Sequence, residues 1–153
     1  MSLSVSQKSR VASEIIAMAK MPEVIAIQID FDARISERSF YKDVVIDVRQ
    51  NLSPSIPLSI TALASWCTYD KWLDKLPVDE AVPMLFRMGA DSKKIQDFLL
   101  REKMFRSLLC RDSIGISIDE SLENLPKTKR VYIFNPKAWT HDIALKIIQE
   151  VKR

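Results

Sequence analysis

Two carboxylates, Asp30 and Asp32, stand two positions apart at the end of an alternating segment, and that spacing makes them the first candidates for chemistry in this chain. Across residues 25–32 the odd positions Ile25, Ile27, Ile29 and Phe31 are apolar, while Gln28, Asp30 and Asp32 are polar. This is the pattern of a strand with one wet face, and side chains on one face of a strand project together. A carboxylate pair at a strand end suits catalysis or ligand binding; the plainer alternative is that the two cap a helix or solvate the strand end. Arg34 continues their phase and offers a compensating charge. Arg87, closing a later strand, could bind a ligand's carboxylate or hydroxyls, or neutralise Asp30 and Asp32.

Other chemistries are poorly supplied. The only histidine, His141, falls where a helix should begin, and Cys67 and Cys110 lie far apart without metal-ligand spacing. A zinc site, a Cys-His nucleophile pair and a Ser-His-Asp triad are therefore disfavoured, and no metal or cofactor is expected. The two cysteines neither demand nor exclude a disulfide, so they leave the compartment unknown. With only Gly89 and Gly115, no glycine-rich loop can bring backbone amides against a phosphate. The net charge of +3 is spread among nearly as many acids, which argues against nucleic acid as a partner. Lys127, Lys129 and Arg130 read as a solvated approach to a strand. No apolar run reaches the roughly 20 residues that span a bilayer, and the first twenty residues lack a signal-type apolar core.

The elements that must position these residues alternate without a composition break. A length of 153 residues suits one domain with a real core. An amphipathic helix presents Val11, Ile15, Met18 and Ala19, and Pro22 ends it. After the first strand the spacing predicts a helix over 37–51, a strand over 58–64, a short helix over 69–76 and a strand over 81–87. A long helix over 92–109, carrying Ile95, Phe98, Leu99, Phe105 and Leu108, precedes strands over 114–118 and 130–134 and a last helix with Ile143, Ile147, Ile148 and Val151.

Strand, helix, strand in succession implies parallel pairing through right-handed crossovers, in a doubly wound sheet or a barrel. The faces favour the barrel. Leu58, Ile60, Ala62 and Ala64 oppose Ser59, Thr61, Leu63 and Ser65, and Ile114, Ile116 and Ile118 oppose Gly115, Ser117 and Asp119. One face is apolar and suits helices, whereas the other is small and polar, as in an open barrel lumen; both faces of a doubly wound sheet would be apolar. At the strand ends, Trp66 and Tyr69 could stack on the apolar face of a ligand, although core packing is favoured for Trp66. Asn135, before Pro136, is most simply a turn residue, with ligand binding as the minor alternative. Met84 and Phe86 read as packing.

Three blocks carry a family resemblance: Ile29-Asp30-Phe31-Asp32-Ala33-Arg34, Leu58-Ser59-Ile60-Thr61-Ala62-Leu63-Ala64-Ser65-Trp66-Cys67 and Val82-Pro83-Met84-Leu85-Phe86-Arg87-Met88-Gly89. In this order they resemble the signature blocks of a bacterial family known as domain of unknown function 3142, over about residues 24–135. The resemblance implies a TIM barrel related to glycoside hydrolases, with these blocks ending neighbouring strands of its second half. A more distant similarity is to chitinase-like hydrolases, whose Asp-x-Asp-x-Glu arrangement is met here by Asp30, Asp32 and Arg34. That family's Glu protonates the leaving oxygen, so Arg34 in its place removes the donor and the chitinase mechanism does not carry over. Asp119 or Glu120, from another strand end, could then complete an acid pair with Asp30 or Asp32.

A complete barrel has eight strands and about 250 residues, against five strands here. The expected fold is therefore α/β, a partial (β/α)8 barrel representing its second part, with open edges that a second copy could shield as a homo-oligomer. Two functions fit. One is a glycoside hydrolase or a fragment of one, with Asp30, Asp32, Asp119 and Glu120 as candidate acids and Arg34, Ser65, Trp66, Arg87 and Asn135 as substrate contacts. The other is a non-catalytic saccharide-binding or interaction module.

Overall fold

The computed structural model describes residues 3–120 and 125–151. Helix α1 (Val5–Ala19) starts with a capping box: Ser4 Oγ accepts from the Gln7 N–H at 3.2 Å, and the Gln7 side chain accepts from the Ser4 N–H at 2.7 Å. Strand β1 (Ile27–Ile29), helix α2 (Arg38–Asn51), strand β2 (Leu58–Leu63), helix α3 (Ala64–Thr68), strand β3 (Glu80–Met84) and helix α4 (Ser92–Glu102) follow. Strands β4 (Ser113–Ser117) and β5 (Arg130–Phe134) and helix α5 (His141–Val151) complete the order. Short 3-10 turns sit between several of them, including Ile35–Glu37 and Trp72–Lys75.

The five strands form one parallel sheet in the order β1-β2-β3-β4-β5, curled into a half-barrel. Its two faces divide by residue phase. Leu58, Ile60, Ala62, Ala81, Ile114 and Ile116 join Val44, Val45 and Val48 of α2 and Ile95, Phe98 and Leu99 of α4 in one core cluster. Burying this apolar stripe drives helix-on-sheet packing. The pairing register puts Gln28, Ser59, Thr61, Glu80, Ser113, Gly115 and Ser117 on the other, inner face. Val82 and Met84, buried but on that inner face, lie outside the core cluster. Gly115 belongs there for space: a Cβ would meet the Phe134 ring at 3.0 Å.

Several boundaries differ from the expected ones. Strand β1 keeps three residues, because it is an edge strand paired with β2 only from Ile27 to Ile29; Ile25 is 83 % exposed and contributes nothing to the core. Residues 64–68 are helical, and 69–76 hold only a 3-10 turn. The fourth helix stops at Lys103 in the left-handed conformation, φ 61°, well short of residue 109. Phe105 then turns into the core while Leu108 is 74 % exposed, so helical spacing there is coincidental. A tether explains the stop. Cys67 and Cys110 form a disulfide, and the Cys67 carbonyl accepts the N–H groups of Arg106 and Ser107 at 3.1 and 3.2 Å.

Candidate functional site

The C-terminal ends of parallel strands are where α/β folds place ligands, because loops there converge on exposed side chains. At the end of β1, Asp30 Oδ1 accepts the Thr61 hydroxyl at 2.6 Å, directly above the contact of Gln28 Nε2 with Ser59 Oγ at 3.2 Å. Threonine at position 61 follows from phase: it faces inward beside β1 and carries a donor. Asp32 lies just beyond. Partial burial, and then the charge of Asp30, raise its carboxyl above the ordinary aspartate range. Beneath them the Tyr41 phenol is buried and also pushed up, first by burial and then by Asp30 and Asp32.

A second cluster ends β3 and β4. Arg87, at φ 50°, gives its backbone N–H to both carboxylate oxygens of Glu120 at 3.0 and 3.1 Å, and its guanidinium meets Asp119 Oδ2 at 3.0 Å. Ser117 Oγ donates to Asp119 Oδ1, and that bond, followed by a backbone N–H and then by the Arg87 charge, holds Asp119 below the usual aspartate range. Arg87 therefore answers the acids of β4 rather than Asp30 and Asp32. Asn135 forms a turn, accepting the Lys137 N–H at 3.0 Å, and its buried Nδ2 has no acceptor.

The remaining candidates leave the rim. Arg34 begins the 3-10 turn, its N–H donating to Glu37 Oε2 at 2.9 Å, and lines a groove with Ser4, Lys8 and Asp43. The turn ends the strand phase, and among the described residues no ion pair joins Arg34 to Asp30 or Asp32. Trp66 is 3 % exposed, edge-on to Trp72 at 5.0 Å, and so belongs to the core. Ser65 is half-buried inside α3, which took over where strand was expected.

Sequence reasoning passed over Arg38, Asp70 and Trp72. Arg38 pairs with Asp70 at 2.6 Å and lies 5.2 Å over the Trp72 ring. The available signal was position: each closely follows the end of β1 or β2. Glu80 was also missed. Opening β3 on the inner face, it is 7 % exposed and accepts from Arg130 at 2.6 Å and the Tyr132 hydroxyl at 2.5 Å, which ties β3 to β5 across β4.

No family model matches the chain, and neither a curated protein nor a solved structure does. The site must therefore be read from its own geometry. Among the described residues no helix is long and apolar enough to cross a membrane, and no three His, Cys, Asp or Glu side chains gather as a metal-ligating group.

Proposed function

We propose that this chain acts on a saccharide through Asp30 and Asp32 at the C-terminal rim of a partial TIM barrel. The observation that carries the reading is the pair itself: two carboxyls at one strand end, one oriented by Thr61 and the other with raised proton affinity. A carboxyl of raised proton affinity beside a second carboxyl is what supplies a general acid in glycoside hydrolysis. Asp32 is the proton donor and Asp30 its partner. The resemblance of the three sequence blocks to the family of unknown function described above supports the same reading. A second copy covering the open edges of β1 and β5 fits it. The Cys67–Cys110 disulfide supports an oxidising compartment as the place of action.

One observation favours the non-catalytic alternative. Arg87 engages both Asp119 and Glu120, so neither is free to complete an acid pair with the β1 carboxylates. The two readings part on product: a hydrolase releases new reducing ends during prolonged incubation with a saccharide it binds, and a binding module releases none.

Asp32→Asn tests the shared claim. Because the folded carboxyl is raised, Asp32 favours the folded state below its unfolded pKa, and that contribution disappears as pH rises through the folded value. At neutral pH the substitution removes a repelled charge and should not lower the thermal midpoint. On a glycan array, saccharide binding should weaken by about tenfold or more. A wild-type chain that binds nothing on the array, or a variant that binds as well as wild type, would contradict the proposal.

A further inference from the structure

Two buried N–H groups in the cluster beside the carboxylates have no acceptor: Nε of Arg38 and Nε1 of Trp72. Such orphans are rare in folded proteins, because each forfeits the hydrogen bonds it made to water. Here both occur in one stacked unit. The Arg38 guanidinium donates to Asp70 at 2.6 Å and lies 5.2 Å from the centre of the Trp72 ring, and Trp72 is tilted against Tyr41 at 6.1 Å. Tyr41 in turn packs edge-on to Phe31 at 5.1 Å, between Asp30 and Asp32 in the chain. Arg38 opens α2, just after β1, and Trp72 lies in the turn after β2, so the unit adjoins the strand ends that carry Asp30 and Thr61.

We infer that Arg38 and Trp72 are the orienting donors for a hydroxyl of an uncharged sugar held at Asp30 and Asp32, an inference that rests on the saccharide reading. The Arg38 side chain is 22 % exposed and Trp72 is half-buried, so neither side chain is sealed in the core, and the inference requires a side-chain rotation that turns the two N–H groups toward a ligand oxygen at the rim. The charge balance selects the sugar. Asp70 neutralises Arg38, and Asp30 leaves the surroundings net negative even with Asp32 protonated, so a uronate carboxylate is repelled where a hydroxyl is accepted.

The test is calorimetric titration of the full chain with cellotetraose, maltotetraose, xylotetraose and tetragalacturonate. Trp72→Phe keeps an aromatic ring but loses the donor together with part of the indole's packing on Trp66 and Tyr41; Arg38→Lys keeps a cation for Asp70 and loses the Nε–H. Each should weaken binding of a neutral tetrasaccharide about tenfold or more, and tetragalacturonate should not bind. Unchanged neutral-sugar affinity in both variants would overturn the inference and leave the saccharide reading standing. So would preferential binding of tetragalacturonate. No binding of any of the four by the wild type removes the saccharide reading and this inference together.

Discussion

Reducing the Cys67–Cys110 disulfide is expected to lower stability by about 4 kcal/mol, the chain-entropy value for cross-linking residues 43 apart. The bond joins α3, just after β2, to the 3-10 turn Leu108–Cys110 that leads into β4, so it fixes a connection between two inner strands of the sheet. Its surroundings are built around it: Ser107 Oγ donates to Asp74 at 2.9 Å, and Arg111 Nε donates to the Phe105 carbonyl at 2.9 Å. Both cysteines are fully buried, so reductant acts through the unfolded chain. Thermal unfolding with and without dithiothreitol should differ by roughly 8 to 16 °C. Identical midpoints, or two free thiols titrated in the denatured, unreduced chain, would contradict this.

Glu80→Ala should cost about 1 to 3 kcal/mol at neutral pH, the penalty for unpairing polar partners around a buried group, moderated because the Arg130 side chain is 56 % exposed. Burial pushes the Glu80 carboxyl up, but hydrogen bonds from Tyr132 and Arg130 outweigh it and leave the group below the usual glutamate range. A carboxyl lowered in the folded state contributes stability above its unfolded pKa and loses that contribution as pH falls through the folded one. The gap between wild type and variant in urea unfolding should therefore be full at pH 7 and shrink in acid below the ordinary glutamate range. A gap that persists unchanged at pH 2 to 3 would mean that packing, not the ionised carboxylate, ties β3 to β5.

Much of the sheet was legible because a period of two is set by burial on one face. Ile60 and Ala62 against Ser59 and Thr61, and Ile114 and Ile116 against Gly115 and Ser117, fix both the parallel α/β architecture and the inner face. Boundaries set by long-range contacts were not legible. The helix through Phe105 and Leu108 fails because a bond between residues 43 apart in sequence holds that segment, and spacing carries no sign of it. The candidate site was partly legible. Asp30 and Asp32 emerge from phase alone, whereas the same phase wrongly points to Arg34 as their counter-ion, because the turn at Ile35–Glu37 breaks it. The cation that packs behind them is Arg38, four residues on, held by Asp70, by Trp66 of α3 and by Trp72 of the turn that follows it. Trp66 and Trp72 look alike in sequence; only packing places the first in the core and leaves the second half-exposed.

The central claim is that Asp32, beside Asp30, is the functional carboxyl of a saccharide site. Carbon-13 NMR titration of the aspartate carboxyls, with Asp32 assigned through Asp32→Asn, tests it most directly in the presence and absence of cellotetraose, maltotetraose and xylotetraose. Asp32 should titrate above the ordinary aspartate range, fall toward it in Asp30→Asn, and shift when at least one of the sugars is added. An Asp32 that titrates as an ordinary aspartate and responds to none of the sugars would contradict the account.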